Sequence, residues 1–307
     1  MSIEWMEAVV SYDLVKIYEG GVKALDSVSL SVKSGRVFSL LGRNGAGKTT
    51  FLRIMATQLL PTSGKGYVLG YDIFSEAGKI RENIAVIPQE SRPMYILTVK
   101  EHVKYFLMMR GVSMNEASRQ ASRILRDIGL EEYSDTLCMK LSGGLRRKVL
   151  VAMAMATEAE ILFLDEPTTG LDPLSRRLVW DVIQRASSSG QTIFLTTHYM
   201  DEAEKISNEI AILHGGKILA SGSIDEFRKL IPYKLKAEIA TDNVIFEDIK
   251  KYGRTLTLGR RIVVYMIDEE DSRKLHEYCI LNKIPVTFSP LSLEDVFIKL
   301  VGENEDS

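Results

Sequence analysis

Apolar residues along this chain recur with two different periods, and the period switches from segment to segment. Over Ala8–Leu14, Val28–Val32 and Arg36–Leu41, apolar residues fall in short alternating pieces, as in half-buried strands. Asp26 and Ser34-Gly35 supply turns between them. Ile84–Pro88 reads as a further strand. Val99–Arg110 and Asn115–Ile128 place apolar residues at three- and four-residue steps, the helical period. Leu145–Ala156 is another helix, and Ile161–Leu164 is an unbroken apolar strand. Pro173–Ser188 is a helix with proline at its tolerated first position. Thr192–Thr196 reads as a strand and Met200–Ser207 as a helix, followed by a hairpin of Glu209–His214 and Lys217–Ala220 over Gly215-Gly216. Strands alternating with helices predict an α/β fold whose mostly parallel sheet is covered on both faces. Ile161–Leu164 and Thr192–Thr196 lack polar alternation and suit its buried centre.

Pro232 marks a boundary. Beyond it the pattern reads strand Lys234–Ala240, helix Val244–Tyr252, strand Arg254–Leu258, strand Ile262–Ile267, helix Asp271–Asn282 and strand Pro285–Phe288. That order is β-α-β-β-α-β, a ferredoxin-like arrangement. A last helix, Ser292–Val301, opens with Ser292 and Asp295 spaced to cap each other. The acidic tail from Gly302 to Ser307 is expected to fray. Two domains are therefore expected, 1–232 and 233–307.

Bulk composition narrows the partners. The net charge is −2; residues 233–307 carry −3 and the remainder +1, so neither part is the basic body of a nucleic-acid binder. The longest apolar run, Val149–Ala156, is eight residues, well short of the roughly 20 needed to span a membrane. The start of the chain, with Glu4 and Glu7, lacks a basic-then-apolar leader pattern. Cys138 and Cys279 stand far apart, as reduced thiols inside a cell would. The chain is expected to be cytoplasmic, and any action on a membrane needs a second protein that spans it.

The candidate chemistry begins at Gly42-Arg43-Asn44-Gly45-Ala46-Gly47-Lys48-Thr49, which fits the phosphate-loop spacing G-x-x-x-x-G-K-[ST]. Glycines let the backbone wrap closely, and successive N–H groups form an anion nest. The helix starting near Lys48 adds its positive end. Lys48 reaches the terminal phosphates, and Thr49 offers a hydroxyl to Mg2+. A plain glycine turn before a helix is the competing reading. A strand enters the loop and a helix leaves it, as phosphate binding requires. Asp165 and Glu166 follow the apolar strand Ile161–Leu164, at the strand end where open parallel sheets bind ligands. Asp165 would hold Mg2+ and Glu166 would orient a water at the γ-phosphate. Alone, the pair could equally be an acidic turn.

The series phosphate loop, Gln89, Leu141-Ser142-Gly143-Gly144, Asp165-Glu166-Pro167, Gly170-Leu171-Asp172 and His198 resembles the ATP-binding cassette (ABC) ATPases over about residues 7–230. The resemblance implies a P-loop NTPase fold with an N-terminal antiparallel β region and a helical subdomain at about 90–157. It implies ATP on Tyr18, Gly42, Asn44, Gly45, Ala46, Gly47, Lys48, Thr49 and Thr50, with Tyr18 stacked on adenine. Tyr18 could also be ordinary strand-end packing. Ser142, Gly143 and Gly144 would close over the ATP of a second subunit, and Asp172 would cross the dimer interface. Gln89 would touch Mg2+ or water and connect to a transmembrane partner, and His198 would contact the γ-phosphate. Catalysis would then fall to Glu166, His198, Lys48 and Gln89, and Mg2+ to Thr49, Gln89 and Asp165.

The signature departs from the usual pattern: Leu145 stands where Gln is common, followed by Arg146-Arg147. That feature and the ending Pro290–Leu300 resemble the ATPase subunits of ABC-2-type exporters, of the daunorubicin-resistance and sodium-efflux kinds. The expected partners are a second ATP-binding subunit, identical or a paralogue, and an integral membrane permease. The chain would sit on the inner face of the cell membrane. Arg92–Thr98 mixes apolar and aromatic residues, either as a docking patch for that permease or as core. Two rival functions are a soluble ABC ATPase working on ribosomes or DNA, and a nucleotide-binding regulator without turnover.

Overall fold

The computed structural model describes residues 7–240 and 246–305. The chain divides into two compact units after Ser223. This lies ahead of the expected boundary at Pro232, because α8 (Ile224–Lys229), unforeseen in the sequence pattern, packs on α11 (Leu293–Glu305) of the second unit.

The first unit carries two sheets. The larger is six-stranded, in the order β10-β9-β3-β8-β7-β6. Its strands are β3 (Val37–Leu41), β6 (Ile84–Ile87), β7 (Ile161–Asp165), β8 (Thr192–Thr197), β9 (Glu209–His214) and β10 (Lys217–Gly222). All neighbours are parallel except the edge hairpin β9–β10. Every residue of β3, β7 and β8 is buried, which explains their unbroken apolar runs. Successive side chains still alternate between faces. Ile161 and Phe163 of β7 enter one core, with Phe38, Phe51 and Phe194; Leu162 and Leu164 enter the other, with Ile193 and Leu195.

The smaller sheet is antiparallel, ordered β2-β1-β4-β5, and formed by β1 (Glu7–Ile17), β2 (Lys23–Lys33), β4 (Ser63–Val68) and β5 (Tyr71–Asp72). It shares the phenylalanine-rich core with α1 (Lys48–Met55). β1 and β2 run beyond the expected Ala8–Leu14 and Val28–Val32 because pairing with each other extends both strands. β4, with its two glycines, and α2 (Ala77–Asn83) had no readable pattern; β4 is a strand because β1 offers it an edge. The opposite core is roofed by α3 (Val99–Met109), α4 (Met114–Asp127) and α5 (Gly143–Met155), with α6 (Pro173–Ser188) beside α5. The helix α7 (Met200–Ile206) follows β8.

In the second unit, β11 (Leu235–Ala240), β12 (Arg254–Leu258), β13 (Arg261–Met266) and β14 (Val286–Pro290) pair antiparallel in the order β12-β13-β11-β14. With α9 (Phe246–Lys250) and α10 (Glu269–Leu281) between them, this is the ferredoxin-like order. The expected start of α9 at Val244 lies outside the described residues. The helix α11 runs past Val301 to Glu305, so the expected fraying does not begin at Gly302; Asp306 and Ser307 lie outside the described residues. The reciprocal cap is half realised. Asp295 accepts the Ser292 N–H at 2.8 Å, but the Ser292 hydroxyl donates to that same carboxylate instead of accepting from the Asp295 amide.

Candidate functional site

Four adjacent parallel strands end level with one another. Leu41 of β3 pairs with Thr197 of β8, Asp165 of β7 with Thr196, and Ile87 of β6 with Leu164. The loop Gly42–Gly47, His198, Glu166 and Gln89 follow those ends, so the topology alone gathers them on one edge.

After β3 the chain turns over Gly42–Gly47 into α1. Gly47 has φ 106°, and a Cβ there would lie 2.4 Å from the Ala24 carbonyl oxygen, so only glycine fits. No side chain caps α1, and its first turn holds no acid, which leaves the positive helix end for an outside anion. Lys48 is buried; Nζ donates to the carbonyls of Gly42 (2.8 Å) and Arg43 (3.2 Å) and lies 3.5 Å from Glu166 Oε1. Burial lowers its pKa below the usual lysine value, and the Glu166 charge opposes that shift. A cavity of about 380 Å³ opens here, lined by Asn44, Gly45, Lys48, Thr49, Gln89 and Glu166 among others. A larger depression, about 720 Å³, runs along α4, but one helix alone lines it.

The two acids differ in their surroundings. Asp165 is fully buried. Its Oδ1 accepts from the hydroxyls of Thr49 (3.2 Å) and Thr196, while Oδ2 has no hydrogen-bond partner among the described residues. Glu166 takes up φ 50°, a left-handed conformation unusual for a side chain of its size. Its N–H donates to the carbonyl and hydroxyl oxygens of Thr196, both at 3.1 Å. Oε2 accepts from Gln89 Nε2 and Thr169 Oγ1, each at 3.2 Å. Oε1 lies 3.1 Å from His198 Nδ1, within ion-pair distance but without hydrogen-bond alignment. Burial alone would push the Glu166 carboxyl up; His198, Lys48 and Thr169 outweigh it and hold the pKa below the usual carboxylate value.

Thr49 and Asp165, with the Gln89 amide oxygen, make a set of hard oxygen donors beside a phosphate cradle. That set suits Mg2+, which prefers few protein ligands and shares phosphates and waters. The partnerless buried Oδ2 of Asp165 fits such an ion. Among the described residues no three His, Cys, Asp or Glu side chains converge as a softer metal would need.

The remaining expected residues fall elsewhere. Tyr18 stands in the β1–β2 turn, partly exposed, and its hydroxyl is 3.1 Å from Thr50 Oγ1 at the rim of the cradle. Ala46 is packed in the core, so only its backbone is available to a ligand. Ser142, Gly143 and Gly144 do not line the cavity. Ser142 caps α5, its hydroxyl accepting the Leu145 N–H at 3.3 Å, and Gly143 is exposed with open space within 4 Å of a Cβ built on it. Asp172 caps α6, accepting from Leu174 and Ser175, and does not line the cavity either. Sequence reasoning missed Thr196, whose one hydroxyl bridges both acids, and Thr169. It also missed Arg147, a buried arginine spread over backbone carbonyls. A strand threonine and the second of two arginines in a helix carry no signal of their own.

Residues 25–169 match the family described as ABC transporter. The daunorubicin/doxorubicin resistance ATP-binding protein of Streptomyces peucetius is 37% identical over 228 residues, covering 74% of this chain and 69% of that protein. The chain belongs to the ABC transporter ATPase family. The human retinal-specific phospholipid-transporting ATPase is 39% identical over 220 residues, 71% of this chain but only 10% of that larger protein. These relatives mark the ABC ATPase as one of exporter type. Among solved structures, an ATP-binding subunit of an ABC transporter superposes with TM-score 0.66 at 29% identity, covering 73% of this chain and 92% of that one. A dimeric ATP-binding cassette in a post-hydrolysis state with ADP and Pi bound gives 0.65 at 27%, covering 70% and 98%. The chain is thus an ATP-binding and ATP-hydrolysing transport subunit, which sets aside the ribosome- or DNA-acting and turnover-free alternatives. Among the described residues no helix is long and apolar enough to cross a membrane.

Proposed function

We propose that this ABC ATPase holds Mg-ATP on Gly42–Thr49, closes head to tail with a second ATP-binding subunit, and drives a separate ABC-2-type permease at the inner face of the cell membrane. The observation that carries the reading is the level edge of four strands, which brings Lys48, Gln89 and Glu166 around one cavity, with Asp165 against Thr49 and His198 against Glu166. The Ser142 segment stands apart from that cavity, exposed at the start of α5, as a surface meant for another copy's nucleotide would.

The residues divide the work as follows. The loop amides and α1 bind the phosphates, and Lys48 exchanges Glu166 for the β- and γ-phosphate oxygens. Glu166 accepts a hydrogen bond from a water and aligns its oxygen on the γ-phosphorus. The water oxygen bonds to that phosphorus as its bond to the bridging oxygen breaks, one water proton passes to a γ-phosphate oxygen, and ADP and phosphate result. His198 donates to a γ-phosphate oxygen. Thr49, Gln89 and Asp165 would hold Mg2+, which would supply positive charge against that of the triphosphate. Positioning and charge carry the rate, with no covalent intermediate. Tyr18 stacks on adenine.

Exposure favours the docking reading of Arg92–Thr98: Ile96 is 82% and Met94 57% exposed. An apolar patch there suits a permease loop. The names of the relatives support amphiphilic cargo such as drugs or lipids, with polysaccharide and ions as further classes. The test is Glu166→Gln in gel filtration with Mg-ATP. A dimer with hydrolysis slowed at least about 100-fold is expected. A monomer that hydrolyses at the wild-type rate would overturn the role of Glu166.

A further inference from the structure

Arg147 lies in the second turn of α5, is 8% exposed, and has no carboxylate within ion-pair distance among the described residues. Its guanidinium donates to five backbone carbonyls instead. Nη1 serves Pro88 and Gln89, both at 3.1 Å; Nη2 serves Glu166 at 2.9 Å and Asp165; Nε serves Pro167 at 3.4 Å. A guanidinium has five N–H donors in a rigid plane, and few other side chains could span two separate segments in this way. The segments are those that carry Gln89 and Glu166, whose side chains meet at 3.2 Å. Burial lowers the Arg147 pKa, against the pull of Asp165 and Glu166, so a charge has been placed here at a cost.

The left-handed backbone of Glu166 gives that charge a purpose. Thr196 holds the Glu166 N–H from one side, and Arg147 holds its carbonyl from the other. A residue at φ 50° persists only where its surroundings over-determine it. We propose that Arg147 is the positioning residue of the hydrolytic site: it clamps the Glu166 and Gln89 backbones to α5, so that the Glu166 carboxylate is already aimed when nucleotide arrives. The clamp also ties the helix that begins at Ser142 to the copy's own hydrolytic acid. It accounts for a basic residue so soon after the signature glycines, because an amide side chain has two N–H donors where five are used here.

The inference rests on the role given to Glu166, and the experiment separates the two. R147Q, E166Q and the double variant are compared in the full chain by steady-state and single-turnover ATP hydrolysis, with nucleotide affinity measured by fluorescence titration. R147Q is expected to lower kcat about 10- to 100-fold with KM and ATP affinity within about 2-fold, since misplacement near 1 Å costs on that order. In the E166Q background the same change should add no further loss of single-turnover rate, because the group it positions is already gone. R147K should recover little, its ammonium being too compact to span both segments. If R147Q does not fold, R147K carries the same cycle. A wild-type kcat in the variant, or a loss that multiplies in full onto that of E166Q, overturns the clamp. A wild-type rate in E166Q alone overturns the role of Glu166 instead.

Discussion

The carboxylate of Glu166 is buried, yet His198, Lys48 and Thr169 keep it ionised at neutral pH. The sign follows from its lowered pKa: the stabilisation is present above the unfolded value and lost as pH falls through the folded one. Hydrolysis measured from pH 8 down to pH 5 should therefore show no inflection from this acid, and thermal unfolding should register its protonation only below the ordinary glutamate value of 4.5. Tyr18 answers to a different force. Its ring is partly exposed beside the cradle, held by the hydroxyl contact to Thr50. Tyr18→Ala should weaken ATP binding by about 1–3 kcal/mol, as loss of one base stack does. Tyr18→Phe should leave most of it, and equilibrium titration with ATP would separate the two variants.

At the scale of elements, Phe194 of β8 packs against the rings of Phe38, Phe51 and Phe163, at centroid separations of 5.2, 5.8 and 5.6 Å. Phe194→Ala should cost about 3–5 kcal/mol of unfolding free energy, read by denaturant titration, because neighbouring strands cannot collapse into the space. The same packing decided what could be read from residues alone. Strands buried on both faces, such as Ile161–Leu164, need unbroken apolar runs, and those were visible. The phosphate loop and both acids were legible because each is tied to a strand end, and strand ends are where a parallel sheet collects its chemistry. Gln89 and His198, single polar residues with no pattern of their own, came only through the family resemblance. β4 was not legible, since Gly64 and Gly66 disfavour a strand and only the edge of β1 makes one. α8 is short and buries one residue, Phe227, too little to set a period. Ser142 and Asp172 both cap their own helices, so their expected roles across a dimer have no counterpart within a single chain.

The described residues present a phosphate cradle at Gly42–Thr49 and, apart from it, the exposed start of α5, proposed above to meet another copy's nucleotide. A second copy reconciles the two. Gly143→Asp adds a Cβ that meets nothing within 4 Å beyond its chain neighbours and its own helix, and an acid is tolerated in a first helical turn, so folding should be untouched. It should leave Mg-ATP affinity of the single chain intact and abolish ATP-driven dimers, as light scattering would report; a dimer formed at wild-type ATP concentrations would contradict the sandwich. The level ends of β3, β8, β7 and β6 bear on how such a machine can move. Sliding one strand by a single residue would shift its cargo of functional groups by roughly 3.3 Å and drive the side chains of each core into the opposite one. In-line attack tolerates far less than that. The sheet must therefore behave as an anvil, and the stroke that reaches a permease has to be made by the helices hung from it.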